Sequence, residues 1–306
     1  MPRAHLPREK PNREQKMAVG NIKTIRTKIR SIGNIKKITR AMEMVSAAKL
    51  RKVQERLMAV RPYASKIAEF LTGLAGRVQN LDFPLFKARE NVKRIGVVLV
   101  MGEKGLCGSF NSNMLRFFND FQKKHPQPLD LTAIGKKTVD TARKIPLTPV
   151  DSYVALKTDV TFGEIQGWTN KLIASFIEGK VDEVWVLYTE YVNAVTFRPR
   201  AVKFLPVQTE KKEGGKEEGS GDYEFEPDPA QILATLIPRY VQTTFHRLLL
   251  ESMSSEHAAR MNAMHNATDN AKDLVTSLTL IYNKARQASI TKELLDIVGG
   301  AEALKG

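Results

Sequence analysis

The feature that most constrains this chain is the spacing of apolar and small residues near its C-terminus. Met261, Met264, Thr268, Ala271, Val275, Leu278, Tyr282, Ala285 and Ser289 recur at intervals of three and four, which is the seam of a coiled coil rather than the face of a globular helix. Asp228-Pro229 supplies an N-cap with proline at the first helical position, and Gly299-Gly300 supplies a stop. The spacing predicts a helix of roughly 70 residues, about 105 Å at 1.5 Å per residue, bent near its start by Pro238. No domain of this size needs a helix that long to close a core. The helix therefore reaches something outside the chain, and its seam needs a partner.

A second stripe lies near the other end: Ile22, Ile25, Ile29, Ile32, Ile35, Ile38, Met42 and Val45, continued by Val53, Leu57 and Val60. Successive intervals of three between Ile29 and Ile38 depart from a strict heptad and predict a seam that is locally overwound. This helix is expected to end near Gly76 and to bend at Pro62. Two long helices at opposite ends of a chain bury their seams most economically against each other, as an antiparallel pair.

Between them the pattern changes. Strands are predicted at Arg94–Met101, Leu129–Ile134, Val181–Tyr191 and Val195–Leu205, with helices at Asn111–Lys124, Lys136–Lys144 and Phe162–Glu178. The fold class is therefore α/β, a long antiparallel coiled coil joined to a small, mostly parallel, Rossmann-like sheet. The domains read as an extension at 1–16 expected to be disordered, an N-terminal coiled-coil helix at 17–76, an α/β domain at 77–207, a flexible segment at 208–228 and a C-terminal coiled-coil helix at 229–306. Met17 is an alternative start. Residues 209–222 hold five acidic and three basic side chains among glycines, a loop composition.

Composition narrows the chemistry. The net charge is +15, and residues 1–60 hold 16 Lys or Arg against 4 acidic residues, a surplus that suits nucleic acid, an anionic surface or an acidic protein partner. A single cysteine, Cys107, rules out an internal disulfide and a cysteine-rich metal site. No apolar run reaches the length of a membrane span, and the basic N-terminal stretch lacks the apolar core of a secretory signal. The glycine turn Gly102 to Ser109 follows the first strand, where phosphates are often cradled. Its spacing fits neither G-x-G-x-x-G nor a phosphate loop, so it reads as a tight strand-to-helix turn with Cys107 packed inside. The five histidines form no metal-ligand pattern, and no serine or cysteine sits in a nucleophile motif. Two classes remain: a mechanical subunit whose rod enters an assembly, and a coiled-coil protein using its basic helix on nucleic acid. The basic helix lacks interleaved aromatic residues for base stacking, which weighs against the second.

Several stretches are more specific. Lys37-Ile-Thr-Arg-Ala-Met-Glu-Met-Val-Ser-Ala-Ala-Lys-Leu-Arg51, Gly105-Leu-Cys-Gly-Ser-Phe-Asn111, Tyr223-Glu-Phe-Glu-Pro-Asp-Pro229, Ser255-Glu-His-Ala-Ala-Arg-Met261, Ala267-Thr-Asp-Asn270 and Tyr282-Asn-Lys-Ala-Arg-Gln-Ala-Ser-Ile-Thr-Lys-Glu-Leu294 resemble the gamma-subunit family of F-type ATP synthases, in the family's order over residues 17 to 300. The resemblance implies a non-catalytic rotor with no cofactor or metal. Its partners would be the alpha and beta subunits of the catalytic hexamer, the epsilon subunit and the ring of c subunits, with no nucleic acid. It would sit at the cytoplasmic face of a bacterial membrane, held there through the complex. It implies contacts with beta subunits by Met42, Arg260, Arg286, Gln287 and Thr291, and contacts with the c ring by Tyr223, Phe225 and Glu226. Arg260 has an alternative reading, as a solvated flank of the coiled coil. Phe225 stands where many members have Tyr, so any contact there would be an apolar seat. The loop at 209–222 lies near the place where photosynthetic relatives carry a redox segment, and it has no cysteine, which excludes thiol switching there.

Overall fold

The computed structural model describes residues 13–75, 83–144, 147–154, 160–208 and 229–304. They divide into two compact units, Met1–Glu43 with Met264–Gly306, and Met44–Ala263. Helices α1 (Arg13–Ala75) and α5 (Pro229–Ala303) each contribute to both.

The larger unit holds a five-stranded sheet of β1 (Ile95–Val100), β2 (Leu129–Ile134), β3 (Asp151–Tyr153), β4 (Glu183–Tyr191) and β5 (Phe197–Leu205). Their order is β3-β2-β1-β4-β5. Pairing is parallel except between β4 and β5, a hairpin with a register shift at Val184/Trp185. All six residues of β1 are buried, as a central strand covered on both faces requires. Alternate side chains serve opposite cores. Ile95, Val97 and Leu99 pack with Met114, Phe118 and Phe121 of α2 (Phe110–Lys124). Val98 and Val100 face a larger cluster containing Ile165, Leu172 and Phe176 of α4 (Phe162–Ile177), Val53 and Leu57 of α1, and Val241, Phe245 and Leu249 of α5. The short α3 (Lys136–Ala142) follows β2.

Helix α4 begins with a capping box: Glu164 N–H donates to Thr161 Oγ1 at 3.3 Å, and Thr161 N–H donates to Glu164 Oε2 at 2.7 Å. Asp182 ties the segment before β1 to the sheet, accepting from Arg89 Nη1 at 2.7 Å and from the main-chain N–H groups of Lys93 and Arg94 at 2.7 and 2.9 Å. Burial alone would raise this carboxyl. The Arg89 guanidinium and the two N–H donors outweigh it and hold the group below the usual carboxylate range.

The smaller unit is an antiparallel helix pair. Thr268 Oγ1 meets Thr39 Oγ1 at 2.8 Å, and His265 Nδ1 lies 3.2 Å from Glu43 Oε1. Partner numbers fall on α5 as they rise on α1, which fixes the direction. The α5 seam lies as its spacing predicts, with Met264, Thr268 and Ala271 buried and Val275, Leu278, Tyr282, Ala285 and Ser289 half-buried.

The α1 seam differs from its expectation. Ile35 and Ile38 are 52% and 59% exposed, and Val45 is also exposed. Inward positions along α1 are Ile22, Ile25, Ile29, Ile32, Lys36, Thr39, Glu43, Ser46, Leu50, Val53 and Leu57. This is an unbroken three-four alternation, so the expected overwinding is absent. The heptad geometry is kept by admitting polar and small side chains, and the isoleucines that the simple apolar rule would bury are left outside. The stop expected at Gly299-Gly300 is also overridden, because α5 runs on to Ala303. A Cβ at either glycine would meet nothing within 4 Å.

Candidate partner-contact surfaces

The side chains expected to reach beta subunits fall into three situations. Arg286, Gln287 and Thr291 are exposed on α5, and Thr291 Oγ1 donates back to the Gln287 carbonyl at 3.0 Å. Met42 is half-buried on α1 beside exposed Met44 and Val45. Arg260 is not the solvated flank of its alternative reading. It is 7% exposed, and its guanidinium is engaged within the chain. Nη2 donates to Glu256 Oε1 at 2.6 Å and to the Lys104 carbonyl at 3.1 Å, and Nε donates to the Gly105 carbonyl at 3.2 Å. A buried guanidinium needs an anion and several acceptors, and this site supplies them. Tyr223, Phe225 and Glu226 lie outside the described residues.

The carbonyls that hold Arg260 belong to the glycine turn after β1. Leu106 and Gly108 there have φ of 59° and 56°, and Cys107 is buried with Phe110 against Ala259 of α5. Asn111 braces the turn, accepting from Gly102 N–H at 3.0 Å and donating to Cys107 Sγ at 3.1 Å. Burial raises the Cys107 thiol, and the neighbouring Arg260 only partly offsets this. A Cβ on Gly102 would lie 3.0 Å from Glu256 Cδ. What approaches this phosphate-like turn is a carboxylate of the same chain.

Sequence reasoning picked out Ser255–Arg260 by resemblance but missed that the whole of Glu251–Arg260 is buried. Every residue in this stretch is buried, although seven of the ten are polar or charged. Ser255 Oγ donates to the Thr189 carbonyl at 3.2 Å, and Arg247 Nη1 pairs with Glu251 at 2.7 Å. Burial lowers the His257 imidazole from 6.5 to about 4, with the Arg260 and Lys49 cations adding to the shift. Burial also pushes the nearby Tyr188 phenol up to about 12, helped by the Glu251 carboxylate. The signal available in the sequence was the density of small residues: Ser252, Ser254, Ser255, Ala258 and Ala259 fall within a sector of about 160° at 3.6 residues per turn and let neighbours approach closely on that side.

The opposite condition holds at the end of α5. Ile290, Leu294, Leu295, Ile297, Val298 and Leu304 are all exposed. Among the described residues no group of His, Cys, Asp or Glu could hold a metal ion, and no helix is long and apolar enough to cross a membrane.

The family model described as ATP synthase matches residues 21–304. An ATP synthase gamma chain of Symbiobacterium thermophilum is 42% identical over 287 residues, covering 94% of this chain and 99% of the relative. Gamma chains of Desulfitobacterium hafniense and Heliobacterium modesticaldum are 39% and 40% identical, over 94% and 92% of this chain. Among solved structures, the Euglena gracilis mitochondrial ATP synthase OSCP/F1/c-ring assembly contains a chain matched at a TM-score of 0.65 and 20% identity, covering 93% of this chain and 95% of that one. The Tetrahymena thermophila mitochondrial ATP synthase central stalk/c-ring contains another, at a TM-score of 0.57 and 24% identity, covering 75% and 99%. At these identities the structural likeness is one of fold, and the sequence matches carry the assignment: this chain belongs to the ATP synthase gamma chain family.

Proposed function

We infer that this chain is the central rotor stalk of an F-type ATP synthase, carrying rotation of the membrane c ring to the catalytic alpha/beta hexamer. The observation that supports this most, beside the family itself, is the antiparallel helix pair whose outer surface keeps Ile35, Ile38, Ile290, Leu294 and Leu295 exposed. Apolar side chains on the outside of a coil whose seam is already filled are suited to a surrounding sleeve. A shaft turning in a sleeve needs contacts that slide, and apolar contacts lack the directionality of hydrogen bonds.

Polar contacts then act only at particular angles. Each biases the equilibrium among beta-subunit conformations by the difference in its free energy between angular states. In this reading Arg286, Gln287 and Thr291 act in this way from α5, and Met42 adds an apolar contact from α1. Arg260 is assigned instead to holding the turn at 104–105. Tyr223, Phe225 and Glu226 remain the proposed seat on the c ring. Residues 22–43 carry seven basic side chains against one acidic, a complement to acidic surfaces on the surrounding subunits. The chain itself makes and breaks no bond in this reading. It sits at the cytoplasmic face of the bacterial inner membrane through the c ring and the epsilon subunit.

Co-purification tests the function. An affinity tag on this chain should recover large alpha and beta subunits as one complex with ATPase activity, and recovery of the chain without them would contradict the reading. For the angular role of Met42, Met42→Lys should reduce protons pumped per ATP hydrolysed more than it reduces assembly. Equal pumping per ATP in vesicles of both forms would remove that residue from the account.

A further inference from the structure

In the sheet order, β1 has β2 on one side and β4 on the other. This is the place where open parallel sheets bind ligands, in the crevice beyond the C-terminal strand ends. In this chain α5 occupies the crevice. Arg260 is bonded to the carbonyls of Lys104 and Gly105 in the turn after β1, at 3.1 and 3.2 Å. Ser255 donates to the carbonyl of Thr189 in β4 at 3.2 Å, and Asn262 donates to the carbonyl of Ala194 in the β4–β5 hairpin at 2.8 Å. All of these residues belong to the larger unit.

The angular placement of the anchors matters. At 3.6 residues per turn, Arg260 and Asn262 leave the helix about 200° apart, whereas Ser255 and Asn262 are within about 20° of each other. The turn and the hairpin therefore grip the helix from nearly opposite sides. A pair of opposed contacts resists rotation about the helix axis, which two contacts on one face would not do. The acceptors are main-chain carbonyls, which lack the rotamer freedom of side-chain acceptors. Gly102 lets the turn close on Glu256, since a Cβ there would come within 3.0 Å of the carboxyl carbon.

We propose that the Gly102–Gly108 turn and the Val192–Thr196 hairpin form a two-jawed clamp that locks the sheet to α5 against rotation about the helix axis, with Arg260 and Asn262 as positioning residues for torque transfer. This rests on the rotor reading. The clamp converts a ligand crevice into a mechanical joint, in which the load passes through the helix's own side chains into the backbone of the sheet.

The test uses complete complexes in membrane vesicles. In Ala194→Cys/Asn262→Cys, a short bismaleimide joins hairpin to helix, and Cys107 is buried and does not compete. The cross-linked complex should pump protons on ATP addition as the wild type does, because the joined segments already turn together. A cross-linked complex that hydrolyses ATP slowly or stalls would show that they move relative to each other and would overturn the clamp. The reverse arm combines Gly102→Ala with Arg260→Lys. It should keep ATP hydrolysis while losing protons pumped per ATP, and the 194/262 cross-link added to it should restore pumping. Unchanged pumping in that variant also overturns the clamp. If wild-type vesicles containing this chain hydrolyse ATP and never pump, the rotor reading itself has failed, a different outcome from either result for the variants.

Discussion

Two ten-residue stretches of α5 reverse the usual relation between polarity and burial. Glu251–Arg260 is largely polar and entirely buried, and 291–300 contains Leu294, Leu295, Ile297 and Val298 and is entirely exposed. Buried polar groups are costly unless paired, and exposed apolar groups are costly unless covered. The first stretch pairs its Arg260 guanidinium and Ser255 hydroxyl inside the chain, through Glu256, the carbonyls at 104 and 105, and Thr189. The second leaves its requirement to a partner. One helix thus carries an internal joint and an external bearing, and the direction of the mismatch distinguishes them.

The comparison is broken most severely by removing a partner from the joint. Glu256→Ala leaves the Arg260 guanidinium buried without its anion, which should cost about 3–5 kcal/mol. Chemical denaturation of the full chain would show it, and a loss below about 1 kcal/mol would mean that Arg260 finds solvent.

The next effect is of pH. His257 is neutral in both folded and unfolded chain above 6.5, and there its contribution is complete. As pH falls from 6.5 toward about 4, the unfolded chain takes up a proton that the folded chain excludes. Stability should drop over that window by on the order of 3 kcal/mol, at 1.36 kcal/mol per unit. His257→Gln should flatten the same window, and an unchanged pH profile in that variant would reject the assignment.

A smaller effect concerns the hydroxyls. The Ser254 Oγ is buried without a hydrogen-bond partner among the described residues, so Ser254→Ala should hold or raise the melting temperature. Ser254→Leu should lower it, through overpacking that costs about 1–3 kcal/mol of stability. The smallest effect on the isolated chain comes from the bearing. Leu294→Asp with Ile297→Asp should leave its stability within about 0.5 kcal/mol, yet reduce recovery of the chain with alpha and beta subunits. Full recovery would mean that those side chains are not covered by these partners.

The legibility of the fold follows from the same contrast. The α5 seam from Met261 to Ser289 was readable because its heptad positions are apolar or small throughout. On α1 the inward positions include Lys36, Thr39 and Ser46, while Ile35 and Ile38 face out, so apolar spacing alone found the stripe on either side of this stretch and left it between Ile32 and Ser46. Apolar residues are not obliged to be inside, least of all on a surface reserved for a partner. The central strands were legible from buried runs such as Ile95–Val100. Strand β3, with three residues and little burial, carried no periodicity to detect. Arg260 was recognised as important, but its carbonyl partners come from residues about 155 positions away and follow no local pattern.

The most direct measurement is carbene footprinting of the full chain, free and assembled with alpha and beta subunits. The account predicts that Leu294, Leu295, Ile297 and Val298 are labelled in the free chain and protected in the complex, while 251–260 is protected in both. Persistent labelling of the α5 tip in the complex, or labelling of 251–260 in the free chain, would contradict it.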